Sequence, residues 1–416
     1  MASTRPILRP RYRIFRLPGR GVERFVFRRP PILFALALIG AAPPPSTAIS
    51  TLSPDSETRW VPFDLTPGNQ IRFTMTVNGM PATAILDTGV SASVISRDFA
   101  SVHRLHVQPR GHASAIGGNV AIGWAATQSI ALGGLTRRGG GIIVTTLPAA
   151  ATGTARAVDI LIGHDLIDAY ALEIDFEAKR FRLIKSGRLP FRGLSAPLSI
   201  AANQNVYMTE ALLGGRRLAP MVVDTGDGSS ITLSQESFRA ARIAGLPTTT
   251  TIAFGLAGAL ITDLAIVPSL AVGKLTASNV EIRVERRGGF SHEIGAAGRI
   301  GSGFLQQYRV LLDPIAGHIV FGPSSQTGKP PVRSTSGILV ATEAARLRVL
   351  HVMRGSPAEV SGWRAGDLIC AIDGTPVPAD YSNTPISSWS VGSPGRVVLL
   401  SGCDGRERAL TLGKFY

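Results

Sequence analysis

Apolar residues in this chain fall in short runs rich in Val, Ile and Leu, broken by Gly, Pro, Asn and Asp. That pattern predicts strands and tight turns, and no stretch of about 20 residues carries an amphipathic helical period. Val61-Pro62-Phe63 opens a first unit, followed by a strand over Ile71 to Val77. Asn78-Gly79 tolerates positive φ at both positions, so it predicts a two-residue hairpin into a return strand, Ala82 to Leu86. Further strands are expected at Ser93 to Ser96, near Ile130 and over Ile142 to Val144. Asp159 to Gly163 leads into a short helix, and Ala171 to Phe176 with Arg180 to Ile184 forms a closing hairpin.

The same order is then written a second time. Ala196-Pro197-Leu198 mirrors the opening, Val206 to Leu213 and Pro220 to Val223 flank a Gly214-Gly215 turn, and Ser230 to Leu233 follows. Arg299-Ile300-Gly301 precedes a short helix, and Tyr308 to Leu312 with His318 to Phe321 closes the unit. Each return strand ends in the same triplet, Asp87-Thr88-Gly89 and Asp224-Thr225-Gly226. Such a triplet arises by chance at roughly one in several thousand positions. An Ile-Gly pair ends 76 residues after Asp87, at Gly163, and 77 after Asp224, at Gly301. One hairpin-rich unit has been duplicated. The chain then divides into a leader (1–48), a polar linker (49–59), a first β unit (60–190) and a second (191–323). A Ser/Pro/Gly-rich linker (324–336) leads to a smaller C-terminal β unit (337–416).

Composition narrows the class. Charged residues make up 17% and apolar ones 44% of 416 residues, enough for a packed core and against general disorder. The net charge of +15 is concentrated in residues 1–48, which hold nine Arg, no Lys and one Glu. Without a basic run interleaved with aromatics in the body, no nucleic-acid partner is expected. The leader reads as an export signal: Arg-rich residues, eleven apolar residues from Ile32 to Ala42, then Ser46-Thr47-Ala48, which suits cleavage after Ala48. Eleven residues fall short of the ~20 that span a bilayer. A mitochondrial-type transit peptide and a retained membrane anchor are the alternatives. An exported chain would be periplasmic or secreted.

Cys370 and Cys403 are the only cysteines; Cys370 lies in a strand-like run and Cys403 in a turn, which favours ordinary thiols over a bridge. His103 and His106, without acidic or Cys companions nearby, make no metal site.

The paired triplets, each behind two apolar residues and followed by an apolar-apolar-Gly run, resemble the aspartic proteases, specifically the retropepsin-like (clan AA) group. The resemblance covers residues 61–322 twice over and implies a mainly β, bilobal, acid-protease-like pair of β-barrels, a fused form of a normally dimeric unit. It implies Asp87 and Asp224 as the catalytic pair, needing no metal and no cofactor. Two carboxylates about 3 Å apart cannot both ionise, so they share one proton, activate a water and protonate the leaving amine. Thr88 and Thr225 would bond across to the opposite lobe, while Gly89 and Gly226 let the backbones approach. Ile116, Gly117 and Gly118, with Gly255, Leu256 and Gly258, would form flaps over the substrate. Taken alone, each triplet also suits a solvated turn and each glycine piece an ordinary hairpin. Two departures are apparent: Val90 stands where pepsin-type enzymes carry a Ser, and Asp227 adds an acid that either repels the pair or faces solvent. The missing hydroxyl implies an activity optimum less acidic than pepsin's.

Gly355-Ser356-Pro357-Ala358, Ala365 to Ile369 and Ile372 to Val377 resemble a bacterial-type PDZ domain. That resemblance implies a peptide-binding loop at Ser336, Gly337 and Ile338, with Ile338, Leu339 and the residues to Ala341 as the edge strand that receives a C-terminal peptide. The combined expectation is an exported, monomeric aspartic endopeptidase acting on proteins or peptides, with a PDZ module for recruitment. A non-catalytic peptide-binding adaptor built on a degenerate protease body is the alternative.

Overall fold

The computed structural model describes residues 48–416, apart from residues 155, 189, 190, 203 and 244 and the side chain of Asn383. The leader therefore lies outside the described residues, except for Ala48 at its end. Among the described residues, no helix is long and apolar enough to cross a membrane.

The described chain is mainly β, and its strands form four sheets. The first sheet is built around the hairpin of Ile71–Val77 and Met80–Leu86, whose turn is Asn78-Gly79 with φ of 51° and 77°. Ile71, Phe73, Met75 and Val77 alternate inward along the first of these strands. Ile160–Ile162 lies parallel beside the return strand, Ile162 opposite Leu86, and Asp87 N donates to the Ile162 carbonyl at 2.9 Å. The third sheet repeats this plan: Tyr207–Leu213 pairs with Arg216–Asp224, and Gly298–Gly301 runs parallel to it with Ile300 opposite Val223. In both sheets a parallel strand thus closes under the end of the hairpin, which is where the aspartates emerge.

The closing hairpins do not end separate units. Ala171–Asp175 pairs with Arg309–Asp313, Leu172 opposite Leu312, so both hairpins merge into one six-stranded sheet. One apolar core runs through all of this, from Phe73 and Phe181 to Phe304 and Phe321. Burial of that continuous surface fixes the two similarly built sheets to a common base.

Three sequence expectations need correction. Residues 49–59 are not a linker: Ile49–Leu52 is an edge strand paired with Leu135–Arg138, and Ser56–Thr58 is a 3-10 turn with Ser56 buried. Its pairing partner lies far along the chain, so local polarity gave no sign of it. Two unanticipated helices, Arg97–Val102 and Gln235–Ala240, follow the site at equivalent places, each capped by a serine hydroxyl, Ser96 and Ser234. Third, Cys370 and Cys403 are bridged, with Cα atoms 5.0 Å apart. A register shift between Ile369 and Ala371 makes Cys370 a bulged residue opposite the turn that carries Cys403.

The C-terminal unit is a sheet in the order Ile338–Glu343, Arg346–Val352, Leu368–Ile372, Val397–Gly402, Glu407–Thr411. Its own core centres on Trp363, Trp389, Leu347 and Leu400. Arg346–Val352 and the turn after it dock on the strand Thr248–Gly255, where Thr249 Oγ1 donates to the Arg354 carbonyl at 2.7 Å.

Candidate active site

The two triplets meet at the floor of a cleft of about 220 Å³ that Asp87, Gly89, Asp224 and Gly226 all line. Their backbones cross so tightly that glycine is required. A Cβ on Gly89 would lie 2.3–2.6 Å from the Asp224 carboxyl atoms, and one on Gly226 would lie 2.3–2.4 Å from those of Asp87. Each triplet's glycine therefore packs against the other triplet's acid.

The threonines hold the crossing. Thr88 Oγ1 donates to the Val223 carbonyl at 2.7 Å and accepts from Thr225 N at 3.0 Å. Thr225 Oγ1 donates to the Leu86 carbonyl at 2.7 Å and accepts from Thr88 N at 3.0 Å. Both side chains are fully buried, so each hydroxyl is locked in a two-way bridge that water cannot replace. Beneath them Ser302 Oγ donates to the Thr225 carbonyl at 2.7 Å. The equivalent residue in the first unit is His164, fully buried, with its ring 4.0 Å from that of Tyr207.

The acids are less symmetric. Asp87 Oδ1 accepts one backbone N–H, from Gly89 at 3.0 Å. Asp224 Oδ1 accepts two, from Gly226 and Asp227, each at 3.0 Å, and its Oδ2 lies 3.7 Å from Arg299 Nε. Burial, then the neighbouring charge of Asp224, pushes the Asp87 carboxyl well above the usual range. Burial and then Asp227 also raise Asp224, with Arg299 opposing them. The two carboxyls titrate as one coupled system.

Asp227 does not face solvent. Its side chain is 10% exposed and its Oδ2 lies 3.0 Å from Arg299 Nε. Burial works to raise it, but Arg299 and the Ser229 contacts outweigh burial and hold it at about 2. The repulsive expectation keeps its direction, since the charge of Asp227 raises both Asp87 and Asp224. Arg299 Nη1 continues the network to Glu285 Oε1 at 2.8 Å and Ser291 Oγ at 2.9 Å. Val90 lines the cleft and packs on an apolar cluster with Val94, Leu147, Val158 and Leu161.

Above the floor, the two glycine pieces are hairpin tips. Val107–Ala115 turns through Ile116-Gly117 into Gly118–Ala126, and Thr248–Gly255 turns through Leu256-Ala257 into Gly258–Val272. The tips touch: Ala257 N donates to the Ile116 carbonyl at 3.2 Å, and a Cβ on Gly255 would lie 2.1 Å from that same oxygen. Ile116, Gly255 and Leu256 line the cleft from this side, with Gly117, Gly118 and Gly258 in the turns at φ of 97°, 135° and 122°.

Gly337, Ile338 and Leu339 lie far along the chain in the C-terminal unit and do not line this cleft. The N–H groups of Ser336, Gly337 and Ile338 bond to the Ser390 carbonyl, Ser334 Oγ and Ser336 Oγ at 3.1, 2.9 and 3.1 Å. His103, stacked on Phe99, and exposed His106 sit apart from the cleft as well.

Sequence reading missed Arg299 and Glu285. The signal was present: Arg299 occupies the place that Leu161 holds in the first unit, two residues before the crossing glycine. A guanidinium where its repeat has a core leucine marks a site with an acid to bind. Among curated proteins, none matches the chain. Residues 73–166, which run from the strand before Asp87 to the helix after Gly163, match the aspartyl protease family.

Proposed function

We propose that the chain is an aspartic endopeptidase that hydrolyses peptide bonds with water activated between Asp87 and Asp224. The observation that carries this reading is the crossing of the two triplets, which sets a half-buried Asp87 carboxyl beside the buried carboxyl of Asp224 at the floor of one cleft. The ionised carboxyl takes a proton from the attacking water, and the protonated one donates to the carbonyl oxygen as charge develops there. The amine then leaves with a proton from the pair, so no covalent intermediate forms. Paired hairpin tips exclude bulk water from this step. The raised pair supports an optimum less acidic than pepsin's, because the working state needs one proton bound and one released.

The apolar lining (Ile85, Val94, Ile122, Ile143, Val206, Val222) favours apolar side chains flanking the cut. The C-terminal unit acts as a PDZ-like module for a second peptide segment, taken by strand addition along the edge Ile338–Glu343. Because the loop N–H groups already bond to Ser390, Ser334 and Ser336, this module relies on edge pairing rather than on carboxylate capture. Export to an oxidising compartment agrees with the Cys370–Cys403 bridge.

The test is incubation of the purified full chain with a peptide library across pH 4–7, cleavage being read by mass spectrometry. Asp87→Asn and Asp224→Asn should each reduce turnover by at least about a hundredfold. Peptide binding without turnover in the unmodified chain would leave only the adaptor reading, and turnover that survives both substitutions would refute the assignment of Asp87 and Asp224 as the catalytic pair.

A further inference from the structure

The duplicated units differ most sharply where their equivalent positions surround the acids. Val90 and Leu161 in the first unit correspond to Asp227 and Arg299 in the second. Both apolar residues pack in the cluster beside Asp87. Both charged residues are enclosed behind Asp224, Arg299 being 4% exposed. The guanidinium bridges three carboxylates: Asp227 at 3.0 Å, Glu285 at 2.8 Å and Asp224 at 3.7 Å. The phenyl ring of Phe290 lies 5.6 Å from its Cζ. Thr232 Oγ1, at 3.1 Å from Asp227 Oδ2, and Ser229 N, at 2.9 Å from Oδ1, fix the acid that holds it. Burying such a cluster is costly unless every charge is paired, so its persistence beside one acid of a pair needs a reason.

We infer that Arg299 is a positioning residue that breaks the equivalence of the pair: it fixes Asp224 as the ionised carboxylate that takes the proton from water, leaving the shared proton on Asp87. The inference rests on the peptidase reading above. Its physical content is a count of what favours a negative charge at each acid. Asp224 has two N–H donors and a guanidinium, whereas Asp87 has one N–H donor and apolar neighbours. Asp227 works against a charge on Asp224, and Arg299 screens it by sitting between the two acids. The charged groups acting around Asp224 are thus Asp87, Asp227, Arg299 and, beyond them, Glu285 and Arg283. Symmetric pairs can use either acid as base. Here the roles are assigned before substrate arrives.

Two measurements on the full chain test this. With aspartate labelled at Cγ with ¹³C, and resonances assigned from Asp87→Asn and Asp224→Asn, Asp224 should appear ionised and Asp87 protonated at pH 7. The reverse assignment, or two acids titrating indistinguishably, overturns the inference even if no variant of the network folds. In the second, Glu285→Gln/Arg299→Gln keeps net charge but leaves Asp227 unscreened. The acidic limb of kcat/KM and the Asp224 titration should both move up by about one pH unit or more. Arg299→Lys should bring the limb back toward its original position because it keeps the charge. A fall in kcat with an unmoved limb would mean a structural role only and would overturn the proposal. Labelled acids that differ as expected in a chain without peptidase activity would sink the peptidase reading and leave the assignment of the proton standing.

Discussion

His164 makes the fold itself sensitive to acid, and the effect is large enough to measure. The ring is fully buried against Tyr207, and among the described residues neither nitrogen has a partner of good hydrogen-bond geometry. Burial therefore lowers it from 6.5 to about 4, with only the Thr88 backbone favouring the charged form. The folded chain keeps this imidazole neutral, while the unfolded chain takes up a proton below pH 6.5. Its contribution is thus fully present above pH 6.5 and is lost as pH falls toward 4. The interval of about 2.5 units corresponds to about 3 kcal/mol. His164→Ser installs the residue that the second unit carries at the equivalent place, Ser302. It leaves a cavity and should cost roughly 2–4 kcal/mol at pH 7. The informative quantity is instead the difference between the two proteins as a function of pH. Urea unfolding, followed by fluorescence of Trp60 and Trp124 in the first unit, should show that difference shrinking by about 3 kcal/mol between pH 7 and pH 4. The aspartate pair acts with the opposite sign, since acids raised in the folded state add stability as pH falls, but both proteins share it and it cancels. Parallel pH dependences, within about 0.5 kcal/mol, would show that the imidazole is charged or solvated in the fold and would refute the argument.

Other consequences are as direct. Gly89→Ala or Gly226→Ala places a methyl group within 2.6 Å of the opposing carboxyl, so each should abolish peptide cleavage and lower thermal stability, as calorimetry would show. Opening the Cys370–Cys403 bridge releases a 33-residue loop and should destabilise the C-terminal unit by roughly 3–4 kcal/mol, read as a lower urea midpoint for Trp363 and Trp389 fluorescence in dithiothreitol. Arg354→Ala removes an exposed contact with Asp263, worth at most about 1 kcal/mol, and loosens the docking on Thr248–Gly255. Hydrogen exchange should quicken in that strand and not in Val107–Ala115.

Much of this was legible because it is local. The Asp-Thr-Gly triplets, the Asn78-Gly79 turn and the apolar runs each encode their geometry within a few residues, and the recurrence of the triplet in matched context made the pairing of the two sites readable. What escaped depends on contacts between distant residues. Ile49–Leu52 finds Leu135–Arg138 as its partner, and Leu172 faces Leu312 across the joined hairpins; no local pattern specifies either register. The bridge depends on a bulge at Cys370, invisible in a run that otherwise reads as a plain strand. Arg299 was hidden for another reason. A lone arginine between Gly298 and Ile300 looks like a surface residue until its repeat is laid beside Leu161 and the acids at 227 and 285 are brought to it.

One strand plan, present twice, forms the floor of the cleft, and its surroundings are unequal. The threonine bridges need two copies of one geometry, because each hydroxyl bonds to the carbonyl before the other's aspartate, so divergence there would break both halves at once. No such reciprocity binds the walls or the hairpins. The buried charges behind Asp224 and the C-terminal unit docked on Thr248–Gly255 both belong to the second half. Thr249 and Thr251 on that strand are buried, whereas the outer strand of the first hairpin, Val107–Ala115, has no buried residue. The first half keeps an apolar wall, and its hairpin is held by its own ladder, by the pairing of Gly118–Ala126 with Gly141–Thr145, by the touching tip and by Ser114 Oγ, which donates to Glu293 Oε1 at 2.9 Å. The second hairpin adds several hydrogen bonds to the C-terminal unit, worth about 1 kcal/mol each, which make it the more rigid of the two.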